Sequence, residues 1–244
     1  MEVHHHSHTE RKKWSHYFWE FLMLFLAVTL SFFVENQREH YVENRRERQY
    51  VKSFLEDLKG DIKQLDSLVN ERVKRGKNID SLRRLLDADP DTYAKQIYYL
   101  SRPLTISYQF FRNERTIQQL KNGGNLRLIR KQDVSDAIMD YDHQVRLTDL
   151  VAVREHTYIL EYVKRIEELF DTRVFDRQRI GIVTFKMPDE EVHLLKNDKQ
   201  TIQLFINKIH FLNSVNDYHL MIIYQMLNSA KRAQEVIEEE YHLK

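Results

Sequence analysis

The chain is 244 residues long, with 5 Gly, 3 Pro, no Cys and a net charge of +1. So few turn formers exclude an all-β sandwich or barrel, which needs one roughly every 8–12 residues. The lack of cysteine excludes disulfides, iron–sulfur clusters and cysteine zinc sites. With 31% charged and 42% apolar residues, the bulk is neither disordered nor a polytopic membrane protein, and its near-neutral charge leaves no footprint for nucleic acid.

The first element is the one stretch that departs from the charged average. Phe21 to Val34 carries no charge and only Thr29 and Ser31 as polar side chains. Extended back to Trp14 it gives about 21 residues of helix, enough to cross a hydrocarbon core of ~30 Å. Trp14, Tyr17 and Trp19 fall where an interfacial belt belongs, with Arg11, Lys12 and Lys13 just outside it. No small-residue cleavage site follows Val34, which predicts a retained single-pass anchor rather than a cleaved signal. Residues 1–13 then form a His-rich basic tail, 14–34 the span, 35–50 a charged helical stalk and 51–244 a helical bundle. The count of Lys and Arg beyond the span favours a cytoplasmic body, whereas the basic cluster abutting the bilayer favours the opposite. The expectation adopted is an inner-membrane anchor with a periplasmic body.

Glu20 is the carboxylate of the apolar block. An ionisable group inside a span is costly unless it is paired or hydrated, so it is a candidate membrane-embedded polar site. Its place about one turn inside the interface also suits simple hydration.

Beyond the stalk the apolar residues keep a helical period. Val51, Phe54, Leu55, Leu58, Ile62, Leu65, Val69 and Val73, continued by Ile79, Leu82 and Leu86, predict one helix from Trp14 to about Asp87. Gly60 and Gly76 are its expected bends. Asp89-Pro90 reads as a stop and a new start, predicting a short helix over Pro90–Leu100 and a second over Ile106–Lys121. The latter is closed by Gly123, Gly124 and Asn125 as a left-handed structural turn. A second long helix is expected over Gln132–Val174, with Val134, Ile138, Tyr141, Val145, Leu150, Val153, Leu160, Val163, Ile166 and Phe170 as its stripe. Ile180–Phe185 reads as loop, and Pro188 with its following acids as a helix start. Asn197 or Asp198 caps a third long helix to about Tyr241. The fold class is therefore all-α: an N-terminal transmembrane helix continuing into an elongated antiparallel bundle of three long and two or three short helices.

The opening MEVHHH, the runs YFWEFLMLFLAVTLSFFVENQREH and YVKSFLEDLKGDI, and TIQQLKNGGNLRLIRKQDVSDAIMDY together resemble a family of uncharacterised bacterial membrane proteins common in Bacteroidota. The resemblance covers about residues 1–145. It implies one spanning helix followed by a helical soluble domain, and a native rather than appended Met1–His8. It transfers no activity and no catalytic residues.

Little in the sequence holds chemistry. His4, His5, His6 and His8 are weak metal candidates, because a tail without a carboxylate at fixed geometry makes a poor site. The remaining histidines lack HxxxH or HExxH spacing, and no GxSxG, SxxK or cysteine nucleophile is present. Asp140 and Asp142 read as helix-surface charges, and Asn113-Glu114-Arg115 as a buried ion pair steadying the turn at Gly123. The expectation is no enzyme and no cofactor. It is a membrane-anchored scaffold or adaptor that meets the lipid bilayer and either forms a homo-oligomer or binds another membrane protein, with no nucleic acid partner. The alternative is a subunit of an oligomeric ion- or proton-conducting assembly built around Glu20.

Overall fold

The computed structural model describes residues 14–243. The described residues are all-α, with six α-helices and no named strand: α1 (Trp14–Ala88), α2 (Ala94–Ser101), α3 (Arg115–Asn122), α4 (Gln132–Leu169), α5 (Thr172–Gln178) and α6 (Lys199–Tyr241). The chain divides into two units at Gln49/Tyr50, and each is described on its own.

In the first unit α1 is apolar all round from Phe21 to Val34, and every side chain there except Leu22 is exposed. Its hydroxyls are satisfied inside the helix, Thr29 donating to the Phe25 carbonyl and Ser31 to the Ala27 carbonyl, both at 2.8 Å. Such intrahelical bonds leave neither hydroxyl dependent on water. By length and composition this helix can cross a membrane.

The second unit is a bundle of the remainder of α1 with α4 and α6. Two apolar clusters hold it. In one, Phe54, Leu58 and Leu65 of α1 meet Ile138 and Tyr141 of α4 and Ile223 and Ala230 of α6. In the other, Ile79 and Leu82 meet Tyr162 and Ile166 of α4 and Phe205 and Ile209 of α6. The order of these contacts fixes the topology: α6 runs antiparallel to its two neighbours, whereas α1 and α4 point the same way. Residues 89–131 carry the chain back between them.

That return explains where the sequence expectations fail. Residues 106–114, expected to be helical, are not; α3 starts only at Arg115. They form a strap laid against α1, whose polar side chains bind its backbone. Arg75 donates to the carbonyls of Leu104 (3.0 Å) and Ile106 (2.7 Å), and Arg72 to that of Tyr108 (2.7 Å). Gln64 both accepts from the Phe111 N–H (2.6 Å) and donates to its carbonyl (3.0 Å). Asp61 accepts from the Asn113 N–H and from its side-chain amide, each at 3.0 Å. Asp57 accepts from the N–H and hydroxyl of Thr116, so a residue of α1 caps α3 from outside. A strap satisfied in this way has no need of helical hydrogen bonds.

Smaller departures have similar causes. Asp89 accepts from the Asp91 N–H (3.1 Å) and the Thr92 hydroxyl (2.6 Å), making a tight turn that delays α2 to Ala94. The second long helix stops at Leu169 rather than Val174, because Phe170 is extended and Asp171 caps α5, accepting from the Arg173 N–H at 3.0 Å. Pro188 starts no helix. Residues 188–198 instead bury Val192 and Leu194 in the second cluster and pair Leu195 N–H with the Leu169 carbonyl at 2.8 Å. Ile180–Phe185 is the expected loop, closed by an Arg179–Phe185 bridge, and Asp198 caps α6. Helix α1 is unbroken through Gly60 and Gly76. At Gly60 a Cβ would stand 3.0 Å from the Asn113 amide nitrogen, so glycine there admits the strap.

Candidate functional site

Between the apolar clusters the inward faces of the three long helices turn polar. Arg72 and Arg75 on α1, Glu155 on α4, and Asn216 and His219 on α6 are all buried. Each sits one or two helical turns from apolar core residues, in phase with its own apolar stripe. Arg72 grips Glu155 with both terminal nitrogens; the second contact is 2.7 Å. Nδ1 of His219 meets the same carboxylate at 2.9 Å, and the Asn216 amide donates to the Arg72 carbonyl at 3.3 Å. Burial pushes the Glu155 carboxyl up, but the hydrogen bonds from His219 and Arg72 outweigh it and hold the group at about 2.

Arg75 is less well served. Its terminal nitrogens bind only the neutral carbonyls of Leu104 and Ile106, and its Nε, like that of Arg72, has no partner. Burial pulls its pKa down; the Glu155 charge offsets this only in part, and the like charge of Arg72 lowers it further. The layer thus holds two guanidinium groups against one carboxylate.

Two clefts reach this layer. One of about 540 Å³ lies beside Arg75, with Lys74, Glu71, Asn78, Tyr99 and Tyr108 among its walls. The other, of about 440 Å³, reaches His219 past Thr148, Asp149, Val153 and His156. Burial pushes Asp149 up. Among the described residues no group of three or more His, Asp or Glu could hold a metal ion.

A second polar cluster corrects the sequence reading of Asp142 as a surface charge. The residue is fully buried and faces Arg112 (2.7 Å), Lys121 (2.9 Å) and Arg146. Burial alone would raise its carboxyl, yet the Arg112 and Lys121 hydrogen bonds bring it below the usual range. Asp140 is exposed, as expected. Asn113-Glu114-Arg115 is not a buried ion pair: Asn113 serves Asp61, Glu114 is exposed, and the exposed Arg115 reaches Asp57 at 3.3 Å. Asp61 also accepts from the buried Tyr141 hydroxyl at 2.8 Å.

The residues singled out from sequence lie elsewhere. Trp14, Tyr17 and Trp19 are exposed on α1, and so is Glu20. His4, His5, His6, His8, Arg11, Lys12 and Lys13 lie outside the described residues. Gly124 takes φ +62°, the left-handed turn foreseen, while Gly123 is right-handed. Asn125 ties that turn to the Gln119 carbonyl and the Tyr50 hydroxyl, both at 3.1 Å. On α4, Leu150, Val153 and Leu160 are 69%, 71% and 50% exposed, contrary to their place in the expected core stripe. The inward face instead runs through Val151, Glu155 and Ile159. The polar layer did leave a signal: polar residues at in-phase positions of three stripes. A search for apolar periodicity passes over it. Among protein-family models, curated proteins and solved structures, none matches this chain.

Proposed function

We propose that the protein is a single-pass, inner-membrane-anchored scaffold or adaptor whose periplasmic bundle binds another copy of itself or another membrane protein. The observation that carries this reading is the row Leu150, Val153 and Leu160. These are large apolar side chains at helical spacing on the outward face of α4, left uncovered by the bundle's own packing. The uncovered apolar run before Val34 supports the anchor.

The natural absence of cysteine makes the test direct. A Val153→Cys variant in native membranes is expected to form a disulfide-linked dimer or to crosslink to one partner through a short thiol reagent. Combining Leu150→Asp with Val153→Asp is expected to abolish co-isolation of that species while leaving the helical circular dichroism unchanged. A Val153→Cys protein that stays monomeric and captures nothing would sink the reading. Impermeant thiol labelling of a Tyr218→Cys variant in intact cells or spheroplasts tests the periplasmic placement.

A further inference from the structure

We infer that the cleft beside Arg75 is a binding site for a small organic monoanion, a carboxylate on an aromatic or short aliphatic body. The inference stands apart from the scaffold reading and rests on the charge balance of the polar layer. Both oxygens of Glu155 are engaged by Arg72 and His219, and neither bonds to Arg75. Arg75, only 4% exposed, therefore has no carboxylate of its own. Its hydrogen bonds go to the Leu104 and Ile106 carbonyls, and its Nε is unpartnered. A guanidinium does not shed its proton under ordinary conditions, so the layer carries a buried positive charge with no ion-pair partner within the layer.

The cleft of about 540 Å³ that Arg75 lines supplies the space for the missing charge. Its walls define the ligand class. Lys74 adds a second cation at the lip, and Asn78 is a neutral hydrogen-bonding group. Tyr99, Tyr108 and Phe185 supply aromatic surface for an apolar body. Glu71 also lines the cleft, and its charge opposes a multiply charged ligand. One carboxylate balances the surplus; a dianion would overshoot it.

The test uses the full chain in detergent with 4-fluorobenzoate as probe and the neutral 4-fluorobenzamide as control, read by fluorine NMR line broadening and by the shift of Tm. The acid is expected to broaden and to raise Tm in a saturable manner, and the amide to do neither. Lys74→Glu alters only the exposed lip and is expected to weaken binding at least fivefold. Glu71→Gln is expected to tighten it two- to threefold. Lys231→Glu, on α6, is expected to leave it unchanged. Arg75→Met is expected to abolish binding; if that variant fails to fold, Lys74→Glu and Glu71→Gln still decide. Equal binding of acid and amide, no saturable binding of the acid, or an affinity indifferent to both lip variants would overturn the proposal.

Discussion

The apolar clusters of the bundle and the polar layer between them are built on the same inward stripes of the same three helices, yet opposite physics holds them. In the clusters, burial itself stabilises: each side chain contributes through area removed from water, and no single contact is indispensable. In the layer, burial is a cost, recovered only through the contacts that Arg72, Glu155 and His219 make with one another. A cluster therefore loses stability by degrees as it is trimmed, whereas the layer fails when one member is removed. The layer in return fixes register, because Arg72, Glu155 and His219 meet only at one alignment of the helices.

The difference can be broken most sharply at Glu155. Glu155→Ala leaves Arg72 and Arg75 buried with no carboxylate, and unfolding of the body by urea is expected to show a loss of about 3–5 kcal/mol. Replacing the pair together, Arg72→Met with Glu155→Leu, converts that contact into more apolar cluster. It is expected to recover most of the loss, and a double variant as unstable as the single one would contradict this account. Leu58→Ala, within the first cluster, is expected to cost about 2–5 kcal/mol, graded with the cavity that remains.

Acid separates the two regions without mutation. Because Glu155 is held at about 2 against an ordinary 4.5, its contribution is fully present above about pH 4.5 and is lost as pH falls towards 2, roughly 3 kcal/mol in all. Asp142, lowered as well, is lost in the same direction. Asp61 is raised by burial, against the hydrogen bonds from Asn113 and Tyr141, so its effect runs oppositely and favours the folded state as it protonates. Urea titrations at pH 7, 4.5 and 3 are expected to show falling stability, with a flatter profile for Glu155→Gln. An unchanged profile in that variant would remove Glu155 as the source.

Smaller effects belong to the strap and its turn. Asp61→Ala leaves the Tyr141 hydroxyl and the Asn113 N–H without their acceptor, and is expected to cost about 1–3 kcal/mol. It should also speed proteolysis within residues 106–114. Gly124→Ala places a Cβ on a residue at φ +62°, and thermal melts are expected to register a loss of about 1 kcal/mol.

How much of this could be read in the sequence follows from the kind of force involved. The long helices were legible because apolar burial writes a period of 3.6 into the chain: Val51 to Leu86, Val134 to Ile166 and Ile202 to Ile237 all show it. The caps at Asp198 and Gly124 were legible because they are local. The strap was not, since its conformation is set by Asp57, Asp61, Gln64, Arg72 and Arg75 about thirty to sixty residues away, and Phe110 and Phe111 beside Ile106 mimic a helical stripe. Asp142 was misread because its partners Arg112 and Lys121 come from another part of the chain. Leu150, Val153 and Leu160 were misplaced because two faces of α4 carry apolar residues, and only the neighbouring helices decide which turns inward.

The shared direction of α1 and α4 has a consequence during synthesis. The inward stripe of α1 is completed by α6, and the contacts joining them span 144 residues at Arg72–Asn216 and 165 at Asp66–Lys231. At a translation rate of about 5–20 residues per second, roughly 7–33 s separate the emergence of the two sides. For that interval Phe54, Leu58 and Leu65 have only the strap, and then α4, to shelter them. The row of polar residues that α1 offers to the strap thus gives the nascent helix an early partner, well before its final one exists.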